Sequence, residues 1–364
     1  MNKYNPKNER TKRKYFEYQK EANRKSTSTI DNVRKAIDRY EQFTDYADLK
    51  TFKKQKAVAF KRALAQTVRK DTGKPLSKAT VNSSLRHLKD FFRWLAYQKG
   101  YRKIDVTQIE YLNLTRKEVM EARSRRLKRY PTLEQIKAAL ESMPANNDVE
   151  KRSKALMAFM ALTGIRDGAI ASLKLKHIRL DRNLVEQLPD EVNTKFSKTI
   201  YTHFFPVGDE VKQIFVDWIR YLREELLFND DDPVFPATKM GHNENLEFEP
   251  IGLEPIHWKS AGQIRKIVNA AFGAAGIECF TPHSFRDMLV RLGEQVCRSP
   301  EEFKAWSQSL GHSSPLTTFT NYGPIDTNRQ GEILEQLQSR DAEISPNEML
   351  KRLYDRQFKD SETT

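Results

Sequence analysis

Cysteine is nearly absent: Cys279 and Cys297 are the only two in 364 residues, and they do not form a CxxC pair. That excludes a disulfide framework and a thiolate zinc site, and it fits a reducing compartment. Histidine is sparse too, seven in all, with no HExxH or comparable ligand pair, so no metal site is expected. There is no Gly-rich phosphate loop, and no other cofactor is expected. No apolar run reaches the roughly 18 residues that would suggest a membrane helix. The opening MNKYNPKNERTKRK lacks the apolar core of a signal peptide. No internal repeat is evident.

Negative charge is scarce in the first third. Residues 1–128 carry 34 Lys and Arg against 14 Asp and Glu, while residues 129–364 carry 29 against 35. The net +14 of the chain therefore comes entirely from its N-terminal part. A surplus of this size destabilises a compact domain by self-repulsion unless a polyanion is the partner, which points to nucleic acid. The 38% of hydrophobic residues is enough for packed cores, and the length suits two domains.

The first third reads as helical. STIDNVRKAIDRYEQFT opens on a Ser/Thr cap and repeats apolar residues at Ile30, Val33, Ile37 and Tyr40. TFKKQKAVAFKRALAQ puts Val58, Ala59, Ala63 and Leu64 on one side. SKATVNSSLRHLKDFFRWLAYQKG opens at Ser77, closes at Gly100 and carries the stripe Val81, Leu85, Leu88, Phe92 and Leu95. Lys78, Arg86, Lys89 and Arg93 lie off that stripe and are candidates for contact with DNA. We divide the chain into a basic extension (1–27), a helical domain (28–112), a linker (113–130), a second domain (131–340) and a tail (341–364). The linker, with Arg125 and Arg126, is suited to lie along phosphates. The second domain mixes types: apolar and amphipathic helices, β-like stretches NLVEQL and TIYTHFFPV, and a loop over 240–256.

Four short stretches could carry chemistry. In TPHSFRDMLVRL, Thr281 caps, Pro282 takes the first turn, and Phe285, Met288, Leu289 and Leu292 form the buried stripe. His283 and Arg286 project from another face, near the positive end of the helix dipole, where a phosphate could sit. ALTGIRDGAIASL puts Arg166 just past a Gly stop, where it could equally pair with a carboxylate. NTKFSKT puts Lys195 at a turn, where a lysine is commonly just solvated. LGHSSPLTTFTNYG supplies His312 and Tyr322 in a polar, Pro- and Gly-punctuated segment.

Taken in order, these boxes resemble those of the tyrosine recombinases, the phage-integrase family. Residues 28–112 resemble the family's core-binding domain and 131–340 its catalytic domain. The resemblance implies a mainly α fold with a small antiparallel β-sheet: a SAM-like helical domain and an α+β catalytic domain closing as a C-shaped clamp around DNA. It implies Tyr322 as nucleophile on a DNA phosphodiester, giving a 3′-phosphotyrosyl bond. Arg166 and Arg286 would clamp the non-bridging oxygens, His283 and His312 would bond and handle protons, and Lys195 would protonate the leaving 5′ oxygen. The implied partners are double-stranded DNA with inverted-repeat core sites, sister subunits of a homotetramer assembled from monomers or dimers, and accessory bending or directionality factors. The tail would reach a neighbouring subunit. The expected setting is a mobile element in a bacterial cytoplasm, at the nucleoid.

Some positions depart from the family pattern, and the spacing from His312 to Tyr322 is one residue longer than in many members. Ala169 stands where the family has an acid, so its role is either absent or taken by Asp167. Lys198 shares the turn with Lys195. Tyr201 and Tyr221 are rival phenols outside the right segment. A type IB topoisomerase-like relaxing enzyme and a non-catalytic DNA-binding accessory factor are the alternative readings.

Overall fold

The computed structural model describes residues 4–69, 73–123, 129–242 and 247–312. Arg125, Arg126, Tyr322 and the 341–364 tail lie outside them. The chain divides into two compact units, Met1–Arg125 and Arg126–Thr364, with the break inside the stretch read as a linker. The fold is mainly helical with small antiparallel sheets.

The first unit holds α1 (Pro6–Glu17), α2 (Thr27–Phe43), α3 (Lys54–Gln66), α4 (Lys78–Ala96), α5 (Val106–Ile109) and α6 (Arg116–Arg123). Ser26 and Ser77 cap α2 and α4 by accepting from Thr29 N and Thr80 N, which meets donors that a helix start leaves open. The predicted stripes of α2 and α4 are buried throughout. On α3 the buried face is instead Ala57, Phe60 and Leu64, and Ala59 is exposed. The Phe60 ring decides this, meeting Tyr40 edge-on at 5.2 Å, because an aromatic ring contributes far more buried area than an alanine methyl.

Helix α1 falls within the stretch read as an extension, yet its Tyr15 is 1% exposed and packs on Phe91 and Trp94, both at 5.0 Å. Asn8 donates to Glu41 Oε1 at 2.9 Å and accepts from Leu49 N at 3.2 Å. Lys12 Nζ lies 2.5 Å from Glu41 Oε2 and 3.2 Å from Asp38. Burial works to lower the Lys12 pKa, but the bonds to Glu41 and Glu9 outweigh it and hold the ammonium above the usual lysine range. Glu41→Ala is expected to destabilise the protein by about 3 kcal/mol, because it strips a buried ammonium and a buried amide of their shared partner. Urea unfolding of both proteins measures this.

The second unit holds α7 (Leu133–Ser142), α8 (Asp148–Thr163), α9 (Asp167–Ile170), β1 (Ile178–Arg179), β2 (Leu184–Gln187), β3 (Ile200–His203), α10 (Asp209–Glu224), β4 (Ala237–His242), β5 (Phe248–Glu254), α11 (Gly262–Ala274), α12 (Pro282–Val296) and α13 (Pro300–Ser309). Every residue of α8 from Ala155 to Thr163 is buried, so it runs through the core as an apolar helix must. The amphipathic α10 lays Val211, Phe215, Trp218, Ile219 and Leu222 against that core, with Phe215 4.7 Å from Phe159. Strands β1-β2-β3 form an antiparallel sheet in that order, with Val185 opposite Thr202.

The loop expected over 240–256 is instead part of a β4–β5 hairpin, with an irregular register at Lys239/Met240. Its strands show no buried alternation, since most of their residues are exposed or half-exposed, so period-two patterning was missing. Arg152 fixes its base from inside the core, donating to Pro236 O at 2.8 Å and Thr238 Oγ1 at 3.0 Å.

Candidate active site

Arg166 owes its place to the end of α8. Gly164 closes that helix at φ +55, donating to Met160 O at 2.9 Å, and the chain turns so that Arg166 becomes the N-cap of α9. A Cβ at Gly164 would lie 2.8 Å from Leu289 Cδ1 and 3.3 Å from Arg286 Cγ, so only glycine lets α12 come this close.

Arg286 is 3% exposed. Its Nη1 donates to Gly164 O at 2.5 Å, and its Nη2 donates to Leu310 O. Both carbonyls end helices, α8 and α13, where the helix dipole is negative. That is how a guanidinium is tolerated so deep. Nη2 also lies 3.2 Å from His312 Nε2. A guanidinium only donates, so His312 is the neutral tautomer with its proton on Nδ1.

His312 sits just beyond α13. Gly311, at φ +68, donates to Gln308 O at 2.7 Å, and His312 N donates to Ser307 O at 3.1 Å, the paired bonds of a Schellman cap. A Cβ at Gly311 would be 2.8 Å from Ile200 Cγ2, so the cap is pressed against β3. Thr202 Oγ1 on β3 donates to Ser309 O at 2.8 Å and accepts from Gln187 Nε2 at 2.9 Å, tying the sheet to the same cap.

Burial first, then the positive charges of Arg286, Arg166 and His283, push the His312 pKa down from the ordinary histidine range to about 3. An unfolded histidine titrates near 6.5. The stability of the neutral ring is thus fully present above about pH 6.5 and is lost as the pH falls toward 3. Between pH 7 and pH 4 the melting temperature of the wild type is expected to fall further than that of His312→Asn; parallel falls in calorimetry would refute this.

Arg166, His283 and Arg286 line one cleft of about 500 Å³ together with Asp167, Arg265 and Asn269. His283 is exposed in the first turn of α12. Thr281 occupies the N-cap without a side-chain capping bond, contrary to expectation; its carbonyl instead accepts from Ser284 N and Oγ. Asp167 Oδ2 accepts from Arg265 Nε and Nη2 at 3.1 and 2.9 Å, while Ala169 is buried. A second cleft of about 550 Å³ is lined by Lys198, Tyr201, His203, Ser309 and His312. Lys195 is exposed on the same turn as Lys198 and is not in that lining. Among the described residues no cluster of His, Cys, Asp and Glu could hold a metal ion, and no helix is long and apolar enough to cross a membrane.

Sequence reasoning missed Arg265 and Asn269. They are one helical turn apart on α11, opposite its buried stripe Ile264, Ile267, Val268 and Ala271, a polar pair that periodicity alone reads as solvated. In the first unit, Lys78 pairs with Glu121, and Lys89 and Arg93 pair with Glu110, whereas Arg86 is exposed. Another face of α4 forms a polar cleft of about 410 Å³ with α2, lined by Asn32, Lys35, Arg39, Thr80, Ser83 and His87.

The chain is 24% identical over 250 residues to tyrosine recombinase XerC of Lactobacillus delbrueckii subsp. bulgaricus, covering 68% of this chain and 72% of that one. It is 25% identical over 262 residues to transposase A from transposon Tn554 of Staphylococcus aureus, covering 67% and 66%. Its fold is similar to that of a lambda integrase tetramer bound to a Holliday junction, with a TM-score of 0.56 at 19% identity over 87% of this chain and 80% of that one. Residues 130–329, which hold the clefts at Arg286 and at His312, match the family model described as the phage integrase family. The protein belongs to that family and is a tyrosine recombinase, an enzyme that breaks and rejoins DNA.

Proposed function

We propose that the protein is a site-specific recombinase of a mobile genetic element, exchanging strands between inverted-repeat core sites within a tetramer. The observation that carries this reading is the cation cage: Arg166, His283 and Arg286 line one cleft, and Arg286 is bonded to His312. The similarity to a transposon transposase and to a recombinase solved as a tetramer on a junction supports the mobile-element and tetramer parts.

In this reading the Tyr322 oxygen bonds to phosphorus as the bond to the 5′ oxygen breaks. The phenolic proton passes to His283, and the 5′ oxygen takes a proton from the lysine turn. Arg166 and Arg286 neutralise the charge that gathers on the non-bridging oxygens; fixed guanidiniums do this better than ammoniums. The ester stores the broken bond, so a 5′-hydroxyl from another strand can reseal it without ATP or a metal. The basic first unit grips the phosphates, with the α2–α4 cleft and Arg125 and Arg126 as contacts, and affinity then falls steeply with salt.

The test uses a nicked duplex carrying the element's own inverted repeats, followed by a denaturing gel and a strand-exchange assay with a second site. A covalent adduct and exchanged products are expected. An adduct with relaxation of any plasmid and no exchange would favour a topoisomerase-like enzyme. A shifted duplex without adduct would leave only a DNA-binding factor.

A further inference from the structure

The chain between β2 and β3 carries Lys195 and Lys198, and exposed loops of this kind ordinarily have little holding them. Here the first half is moored. Val192 is 2% exposed within the main core, and Asn193 N donates to Ser172 Oγ at 2.9 Å. Glu191 is held more firmly still. Its Oε1 accepts from Lys176 Nζ at 2.8 Å, and its Oε2 lies 2.9 Å from His177 Nε2. His177 is 2% exposed at the entry to β1, and its Nδ1 accepts from Lys174 N at 3.0 Å. With Nδ1 occupied as an acceptor, the ring proton sits on Nε2 and points at Glu191. Lys174 and Lys176 are in turn held 2.9 Å from Asp231. A buried imidazole of fixed tautomer thus pins the loop at Glu191, one turn's length of chain ahead of Lys195.

We propose that Glu191 and His177 are positioning residues for the proton that the lysine turn gives to the leaving 5′ oxygen. This rests on the strand-cleavage reading above, in which a lysine of this turn is the acid. Neither Glu191 nor His177 touches the DNA in that reading; each acts through the placement of the turn. A loop freed at Glu191 still lets DNA bind and the phosphate be clamped, but the acid is then seldom in reach.

The experiment compares two substrates in single-turnover cleavage: an ordinary phosphodiester, and one with sulfur in place of the bridging 5′ oxygen. A thiolate leaves without protonation, so only defects in the acid are rescued by sulfur. Glu191→Ala is expected to cleave the ordinary substrate about 10- to 100-fold more slowly, short of the full roughly 10²- to 10⁴-fold worth of a general acid. It is expected to match the wild type on the sulfur substrate and in a mobility shift. Glu191→Gln, which keeps an acceptor for His177, is expected to fall between the two, and it decides the matter should the alanine variant fold poorly. Equal slowing on both substrates, or no slowing, would overturn the proposal. Lys195→Ala and Lys198→Ala are run alongside. If sulfur rescues neither, the assignment of the acid to this turn fails on its own account.

Discussion

Tyr322→Phe is expected to abolish the covalent protein–DNA adduct completely, while Tyr201→Phe and Tyr221→Phe leave it within about twofold of the wild type. Tyr201 and Tyr221 differ in what surrounds them. The Tyr221 hydroxyl donates to Asp148 Oδ1 at 2.7 Å, and that bond, with burial behind it, pushes its pKa up to about 12. A phenol near 10 is already only about one part in a thousand ionised at pH 7, so Tyr221 is a still poorer nucleophile. Tyr201 is a more serious rival, because it is 54% exposed and lines the cleft beside His312. It projects from a strand whose neighbours Ile200 and Thr202 are buried, which fixes its backbone. Tyr322 comes from the segment that resembles the family's nucleophile box. A denaturing gel on a nicked duplex compares the three variants directly; an adduct surviving Tyr322→Phe and lost in Tyr201→Phe would transfer the role.

The second large effect is expected at Arg286. Arg286→Lys should lower the cleavage rate by about 10³-fold with DNA affinity changed only a few-fold, since removal of one preorganised donor for a developing oxyanion costs roughly 10² to 10³. The guanidinium spans Gly164 O, Leu310 O and His312 Nε2 with one rigid fork while its charge lines the cleft. A lysine ammonium is a single point on a flexible stem, so it cannot bridge both helix ends and also meet a phosphate. Leaving one of those carbonyls unsatisfied costs a further 1–3 kcal/mol or so of stability. Rapid-quench cleavage, fluorescence anisotropy and thermal melting separate the contributions. A variant that melts lower but cleaves normally would make Arg286 a purely structural residue.

Local rules made much of this legible in the sequence. The stripes Ile30 to Tyr40 and Val81 to Leu95 follow helical period, and both are buried. Arg166 could be placed because it follows Gly164, a glycine that ends a helix in the left-handed region; Gly311 does the same before His312, but no helix pattern in the sequence announced it. The less legible parts depend on contacts that sequence spacing does not carry. Asp167 meets Arg265 and Lys78 meets Glu121, partners far apart in the chain. Likewise nothing near Glu191 announces that a buried histidine will hold it. The β4–β5 hairpin escaped because its strands bury too little to leave a two-residue rhythm. Tyr322, Arg125 and Arg126 were placed by sequence alone and lie outside the described residues.

The way Arg286 is anchored bears on how tightly DNA can be held. An arginine steadied by a carboxylate has much of its positive field cancelled before a ligand arrives, and an incoming phosphate must compete with that counterion. Peptide oxygens at helix ends steady the same group as neutral dipoles. These two bonds aim the fork without themselves adding an anion that an incoming phosphate would have to displace.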